Sequence, residues 1–153
     1  MSIAGAIADA RKSATRMAVE YSSTKSIHIL VGTFNLNGKT NGINEDLSSW
    51  LCPNVGVSQQ QPEIVAVGFQ EIVELSPQQI MSTDPVRRQM WEKAVKRTLN
   101  ENAARAGSEE YVLLRSGQLV GAALAIFVRS SVLRDIKNVE GSEKKVGVAT
   151  FIK

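Results

Sequence analysis

The chain has 153 residues, 43% of them apolar and 22% charged, the make-up of one globular domain rather than a disordered or fibrous chain. No run approaches the roughly 20 consecutive apolar residues of a helical membrane span, and a net charge of +3 is too mild to single out nucleic acid as a partner. One cysteine, Cys52, excludes an internal disulfide, and one histidine, His28, excludes a Cys/His zinc cluster. A Ser-His-Asp triad would have to use His28. The reducing cytosol is the expected compartment.

Residues 1–25 carry Ile3, Ala6, Ile7, Ala10, Met17 and Ala18 at helical spacing, with Arg11, Lys12 and Arg16 on other faces. The spacing predicts a linker or amphipathic helix. A targeting presequence is the other option, weakened by Asp9 and Glu20. Ser22, Ser23 and Thr24 end the pattern, and a strand is predicted from Ile27 to Leu36. Ile27, Ile29 and Val31 line one face and Leu30, Phe34 and Leu36 the other, as in a strand buried between layers. A loop follows over Gly38 to Gly42, then a short helix from Ile43 to Leu51, ended by Cys52 and Pro53. The polar run Ser58 to Pro62 reads as a surface connection before a second buried strand, Glu63 to Phe69.

Ser76-Pro77 and Asp84-Pro85 each pair an N-cap residue with a proline at the first helical position. The second opens a helix with Val86, Met90, Val95 and Leu99 as its apolar stripe and Gly107 at its C-terminal cap. Tyr111 to Arg115 and Leu119 to Arg129 are predicted as neighbouring strands, with a further short strand near Val132 to Val139. Helices alternating with strands, and then strands alone, indicate a mixed α/β layered domain.

Two polar clusters each close a predicted buried strand. In Phe34-Asn35-Leu36-Asn37-Gly38, alternation places Asn35 and Asn37 on the same face. An amide pair there offers carbonyl oxygens to a hard cation and NH2 donors to a phosphate. The plainer alternative is that both cap the strand and shape the turn into Gly38. In Gly68-Phe69-Gln70-Glu71, the carboxylate of Glu71 falls at a partly buried strand end, where it is costly unless paired or metal-bound. A magnesium ligand and a solvent-facing glutamate are the two readings, while Gln70 points the other way and can orient a ligand. His28 lies roughly 20 Å or more from Asn35 along its strand and reads as structural. Cys52 reads as a helix-end residue with no base beside it. Lys144 and Lys145 can meet an anion or simply be solvated. No phosphate-binding loop, dinucleotide fingerprint or nucleophile elbow occurs.

Three segments, Val31 to Gly38, Val67 to Leu75 and Tyr111 to Gly121, together resemble the catalytic domain of the inositol polyphosphate 5-phosphatases. The likeness is strongest to the synaptojanin-like fungal type, in which a Sac domain precedes the 5-phosphatase domain. It runs from about Ile27 to Lys145. The resemblance implies an α/β fold of the DNase I-like class, a four-layer sandwich of two packed sheets covered by helices. It implies Mg2+-dependent removal of the 5-phosphate from phosphatidylinositol 4,5-bisphosphate and related inositol phosphates. On the same basis Glu71 and Asn35 hold the metal, and Asn37 and Gln70 meet the substrate. Mg2+ and amide donors offset the charge that develops when a phosphate dianion is attacked, and mild positive charge suits an anionic headgroup. The expected location is therefore cytoplasmic and peripheral at membranes, with a phosphoinositide or inositol phosphate as partner and no nucleic acid.

Residues 146–153 depart from the family pattern, and the family's later motifs, among them Asn-Ser-His, Gly-Asp-Leu-Asn and a late Asp-His pair, do not occur. The implied organisation is a linker or amphipathic helix over 1–25, the N-terminal half of a 5-phosphatase domain over 26–145 and a divergent end over 146–153. The sandwich is then incomplete, one apolar sheet face is exposed, and no general base is present, so the isolated chain is expected to be inactive. The change near Val146 reads as a truncation. Two alternatives compete: a non-catalytic fragment that binds lipid or a partner, and a nuclease on the same fold. A basic stripe with interleaved aromatics, which would favour the nuclease, is missing.

Overall fold

The computed structural model describes residues 25–52, 61–74, 76, 78 and 84–142. The elements predicted within 1–24, the start at Ser76-Pro77 and the Lys144-Lys145 pair lie wholly or partly outside that set. Four strands, β1 (Ile29–Asn35), β2 (Ile64–Gln70), β3 (Tyr111–Leu119) and β4 (Ala122–Arg129), form one sheet in the order β1-β2-β4-β3. β1 and β2 run parallel, while β4 is antiparallel to both β2 and β3. The parallel register aligns Asn35 with Gln70, so the two strands end side by side. That alignment positions the site.

One sheet face is covered. Val65, Val67 and Phe69 of β2 and Ala123, Ala125 and Phe127 of β4 alternate onto it and are buried. The helix α2 (Val86–Arg105) packs there, with Trp91 against Phe69 at 5.6 Å between ring centroids. The short helix α1 (Ser48–Leu51) brings Trp50 over Phe34 and against Gly32, where a Cβ would stand 3.0 Å from the indole. A side chain at this position would push the indole off β1. The predicted helix from Ile43 to Leu51 is in fact a 3-10 turn (Asn41–Asn44) followed by α1, because Asp46 takes the Ser48 backbone N–H at 2.9 Å and restarts the chain.

The start of α2 is as its sequence predicts. Asp84 Oδ1 accepts the Val86 N–H at 2.9 Å directly after Pro85. Its end is a Schellman arrangement: Gly107 stands at φ +62, its N–H reaches the Ala104 carbonyl, and Ser108 N–H reaches that of Ala103. The stripe is corrected. Trp91, Ala94, Val95, Leu99 and Ala103 face the sheet, whereas Val86 is exposed, since the helix meets the sheet only beyond its first turn.

Three further expectations change. β1 is an edge strand with Ile29 and Val31 exposed at 55% and 69%, not one buried between layers, because no second layer covers that face among the described residues. β3 continues past Arg115 to Leu119, its Ser116, Gly117 and Gln118 pairing with β4 despite weak strand propensity. The strand expected near Val132 to Val139 is instead a helical turn, α3 (Ser130–Leu133), followed by irregular chain in which Asn138 at φ +55 cannot be extended.

The uncovered face carries Ile29, Val31 and Leu124 in the open, as expected for half of a sandwich. A hollow of about 570 Å³ on this side is lined by Leu119, Leu124, Ile126 and Arg115 among others. Asn35 and Glu71 are not among its lining residues.

Candidate functional site

Asn35 is the last residue of β1, and Glu71 follows the last residue of β2. In the parallel register these positions converge, and Asn35 Nδ2 donates to Glu71 Oε1 at 2.9 Å. Strict alternation would send Glu71 to the same face as Phe69. Its backbone instead takes a left-handed φ of +48, which turns the carboxylate toward Asn35. The half-exposed carboxylate has no cationic side chain within ion-pair distance among the described residues. It therefore keeps acceptor capacity to spare.

The placement of Asn37 is a correction to the sequence reading. β1 has already ended, and Asn37 stands at φ +46 with its backbone N–H donated to Asn35 Oδ1 at 2.9 Å. Lys39 N–H reaches the Leu36 carbonyl at 2.8 Å, so Leu36 to Lys39 form a tight turn whose two central residues are both left-handed. The turn-shaping role of the asparagines is real, and it leaves Asn37 exposed and out of strand alternation with Asn35. Gln70 is exposed on the face that also carries Asn35, as its cross-strand partner.

The turn is tied to the second strand by backbone as well. Leu36 N–H reaches the Gln70 carbonyl at 2.8 Å and Gly38 N–H the Glu71 carbonyl at 2.7 Å. Gly38 sits at φ +65, and a Cβ there would meet Glu74 Cγ at 2.7 Å. No other residue type fits that position without displacing Glu74. The β3–β4 hairpin closes the third side, since Ile72 N–H donates to the Gly121 carbonyl at 2.9 Å.

Sequence reasoning missed Arg87, whose Nη1 donates to the Gly38 carbonyl from the first turn of α2. The only signal was a basic residue just after a helix start, and nothing local says that this turn lies over the Asn35–Gly38 loop. His28 and Cys52 are as expected. The His28 backbone N–H donates to Glu63 Oε2 at 2.7 Å, with Nδ1 3.4 Å from the same oxygen. Burial pushes the Cys52 thiol up, away from a reactive thiolate.

Asn35 and Glu71 supply hard oxygen donors at one point, with further amides alongside. The set suits an oxygen-seeking divalent cation and an anion bound to it. No cluster of three or more His, Cys, Asp or Glu occurs among the described residues, so such a cation would take much of its shell from water and ligand oxygens.

A parallel-then-antiparallel sheet, helices on one face and an Asn–Glu pair at the strand ends define a layered α/β unit with an oxygen-donor pair at its sheet edge. The chain matches endonuclease/exonuclease/phosphatase family 2 over residues 32–152 and belongs to that family, with its DNase I-like α/β fold. Among individual proteins, it is 47% identical over 129 residues to inositol-1,4,5-trisphosphate 5-phosphatase 1 of Schizosaccharomyces pombe. It is 33% identical over 129 residues to the phosphatidylinositol 4,5-bisphosphate 5-phosphatase INP51 of Saccharomyces cerevisiae. Each alignment covers 84% of this chain, but only 11% and 13% of the respective relative. A crystal structure of the inositol polyphosphate 5-phosphatase domain of SPsynaptojanin, with inositol (1,4)-bisphosphate and a calcium ion, superposes with a TM-score of 0.70 at 41% identity. It covers 91% of this chain, which spans 38% of that domain's chain.

Proposed function

We propose that the described residues are the cation-holding part of a phosphoinositide 5-phosphatase site, which acts on the 5-phosphate of phosphatidylinositol 4,5-bisphosphate and related inositol phosphates. The observation that carries this is the Asn35–Glu71 contact, which presents a carboxylate without an ion-pair partner among the described residues at the joined ends of two parallel strands. Supporting it, the relatives are named as 5-phosphatases and the solved neighbour holds an inositol bisphosphate and calcium.

Glu71 and Asn35 hold the metal, taken to be Mg2+ from the all-oxygen donor set. A divalent cation there supplies Lewis-acid stabilisation of the charge that develops on the phosphoryl oxygens. Asn35 has two tasks. Its Nδ2 fixes one carboxylate oxygen of Glu71, and its Oδ1 keeps one lone pair after accepting the Asn37 N–H. The side-chain amides of Asn37 and Gln70, both exposed, orient phosphate oxygens by donating N–H groups. The sole histidine lies at the far end of β1 and takes no part in proton transfer. His28 therefore supplies no general base at this end of the sheet, and in this reading the chain by itself binds without hydrolysing. With an anionic lipid as substrate, the protein works on the cytoplasmic side, peripheral to the membrane.

The test is a paired titration and assay of the 153-residue chain. Mg2+ and inositol 1,4-bisphosphate are expected to bind together, Glu71→Ala to abolish binding, and no phosphate to be released from phosphatidylinositol 4,5-bisphosphate. Robust release that Glu71→Ala abolishes would overturn the inactivity of the chain alone. Co-sedimentation with lipid vesicles that survives Glu71→Ala, without any cation binding, would instead favour a non-catalytic lipid-binding role.

A further inference from the structure

Arg87 stands at the second position of α2, a helix anchored to the sheet through Trp91 and Phe69 and started by the Asp84–Val86 hydrogen bond. From this rigid base its guanidinium donates to the Gly38 carbonyl, 49 residues earlier in the chain. That carbonyl belongs to the same residue whose N–H is given to Glu71 O, and whose neighbour Asn37 gives its N–H to Asn35 Oδ1. Gly38 is thus held from both sides, by β2 through its N–H and by α2 through its carbonyl.

The hold matters because the site is built from strained backbone. Asn37 and Glu71 both occupy the left-handed region without being glycine, and such residues persist only where their surroundings over-determine them. A glycine turn contributes no side-chain packing of its own. A hydrogen bond from an ionised donor is roughly twice as strong as a neutral one, so a guanidinium is an effective clamp on an otherwise free carbonyl.

We propose that Arg87 is a positioning residue for the site: it pins the Gly38 turn, and through the Gly38–Glu71 backbone bond it holds Glu71 in the conformation whose carboxylate meets Asn35. What that conformation serves rests on the 5-phosphatase reading, but the mechanical link does not. The contact is to a backbone carbonyl, so the role requires no contact between Arg87 and substrate.

The experiment compares the wild-type 153-residue chain with Arg87→Met and Arg87→Lys by NMR, using Mn2+ as the cation probe. Arg87→Met is expected to speed exchange of the Gly38 amide by about tenfold, the loss of one charge-assisted bond. It should also shift the Asn35 side-chain amide resonances toward those of a free asparagine and weaken Mn2+ binding by about tenfold. The core amides of Val67 and Phe127 should keep their protection, and lysine, which can still donate to the carbonyl, should restore most of each effect. Unchanged Gly38 exchange and Asn35 resonances in Arg87→Met would overturn the proposal. So would loss of core protection in step with Gly38, or a lysine variant no better than methionine. A wild-type chain that takes up no Mn2+ would sink the 5-phosphatase reading, and the exchange and resonance data would still decide the role of Arg87.

Discussion

β2 has a glutamate at each end, and the two ends are built in opposite ways. Glu63, before the strand, is 2% exposed and fully engaged: it accepts the His28 backbone N–H, faces His28 Nδ1, and lies 3.7 Å from Arg129 Nη2. Around it, Tyr111 donates its hydroxyl to the Pro62 carbonyl at 2.6 Å and Arg129 Nε to the same oxygen. Glu71, after the strand, is half-exposed, held by one amide donor and free of ion pairs among the described residues. Strain separates the ends too. Asn37, Glu71 and Val120 all take left-handed backbone near the Glu71 end, and no non-glycine residue does so beside Glu63 among the described residues. One end is satisfied and relaxed, the other under-satisfied and strained, which is how stability and chemistry are kept apart on a single strand.

Substitution of the two glutamates tests that contrast most strongly. Glu63→Ala is expected to cost about 3 kcal/mol, because it leaves the part-buried His28 N–H and the largely covered Arg129 guanidinium without their carboxylate. Glu71→Ala is expected to change stability by less than about 1 kcal/mol while abolishing the proposed divalent-cation binding. Thermal melts and cation titrations on both variants check this, and equal losses of stability would erase the distinction.

Acid sharpens the contrast. Burial pushes the Glu63 carboxyl up, but the His28 N–H and the Arg129 charge outweigh it and leave the group below its ordinary value of 4.5. A depressed folded value means that its stabilisation is complete above pH 4.5 and is lost as the pH falls through the lower value in the folded chain. Melting temperature should therefore decline below that point in the wild type and decline less in Glu63→Gln.

A smaller effect is expected at Asn35. Asn35→Ala removes the donor that orients Glu71, weakening cation binding by about tenfold or more, with little change in melting temperature. If the titration is unchanged, Asn35 shapes only the turn. Smallest is Val120, a β-branched residue at φ +52 in the hairpin beside Ile72. Val120→Gly should relieve its strain and stabilise the chain by up to about 1 kcal/mol, measured by denaturant melts. Destabilisation would show that the strained end carries no stored cost there.

Local chemistry was legible wherever its cause is local. Asp84 and Pro85 announce the start of α2 and Gly107 its stop, because caps and left-handed glycines act within a few bonds. Asn35 and Glu71 stood out in the sequence because a polar residue closing an apolar run needs a reason to be there. The three segments pointed to a family whose model matches residues 32–152.

What the sequence could not supply depends on residues far apart in the chain. The environment of β1 turned on which faces are covered, and periodicity shows that a face is apolar without showing that anything packs on it. The α2 stripe shifted because the helix meets the sheet from Trp91 onward, a docking angle absent from the heptad pattern. The turn of Glu71 toward Asn35, 36 residues away, and the reach of Arg87 to Gly38, 49 residues away, exist only once β1, β2 and α2 are assembled. Sequence alone determined the start and stop of α2, the candidate ligands and the family. Tertiary structure alone decided how those ligands meet, because strand alternation ends where the backbone turns left-handed and the contacts beyond that point are set by packing.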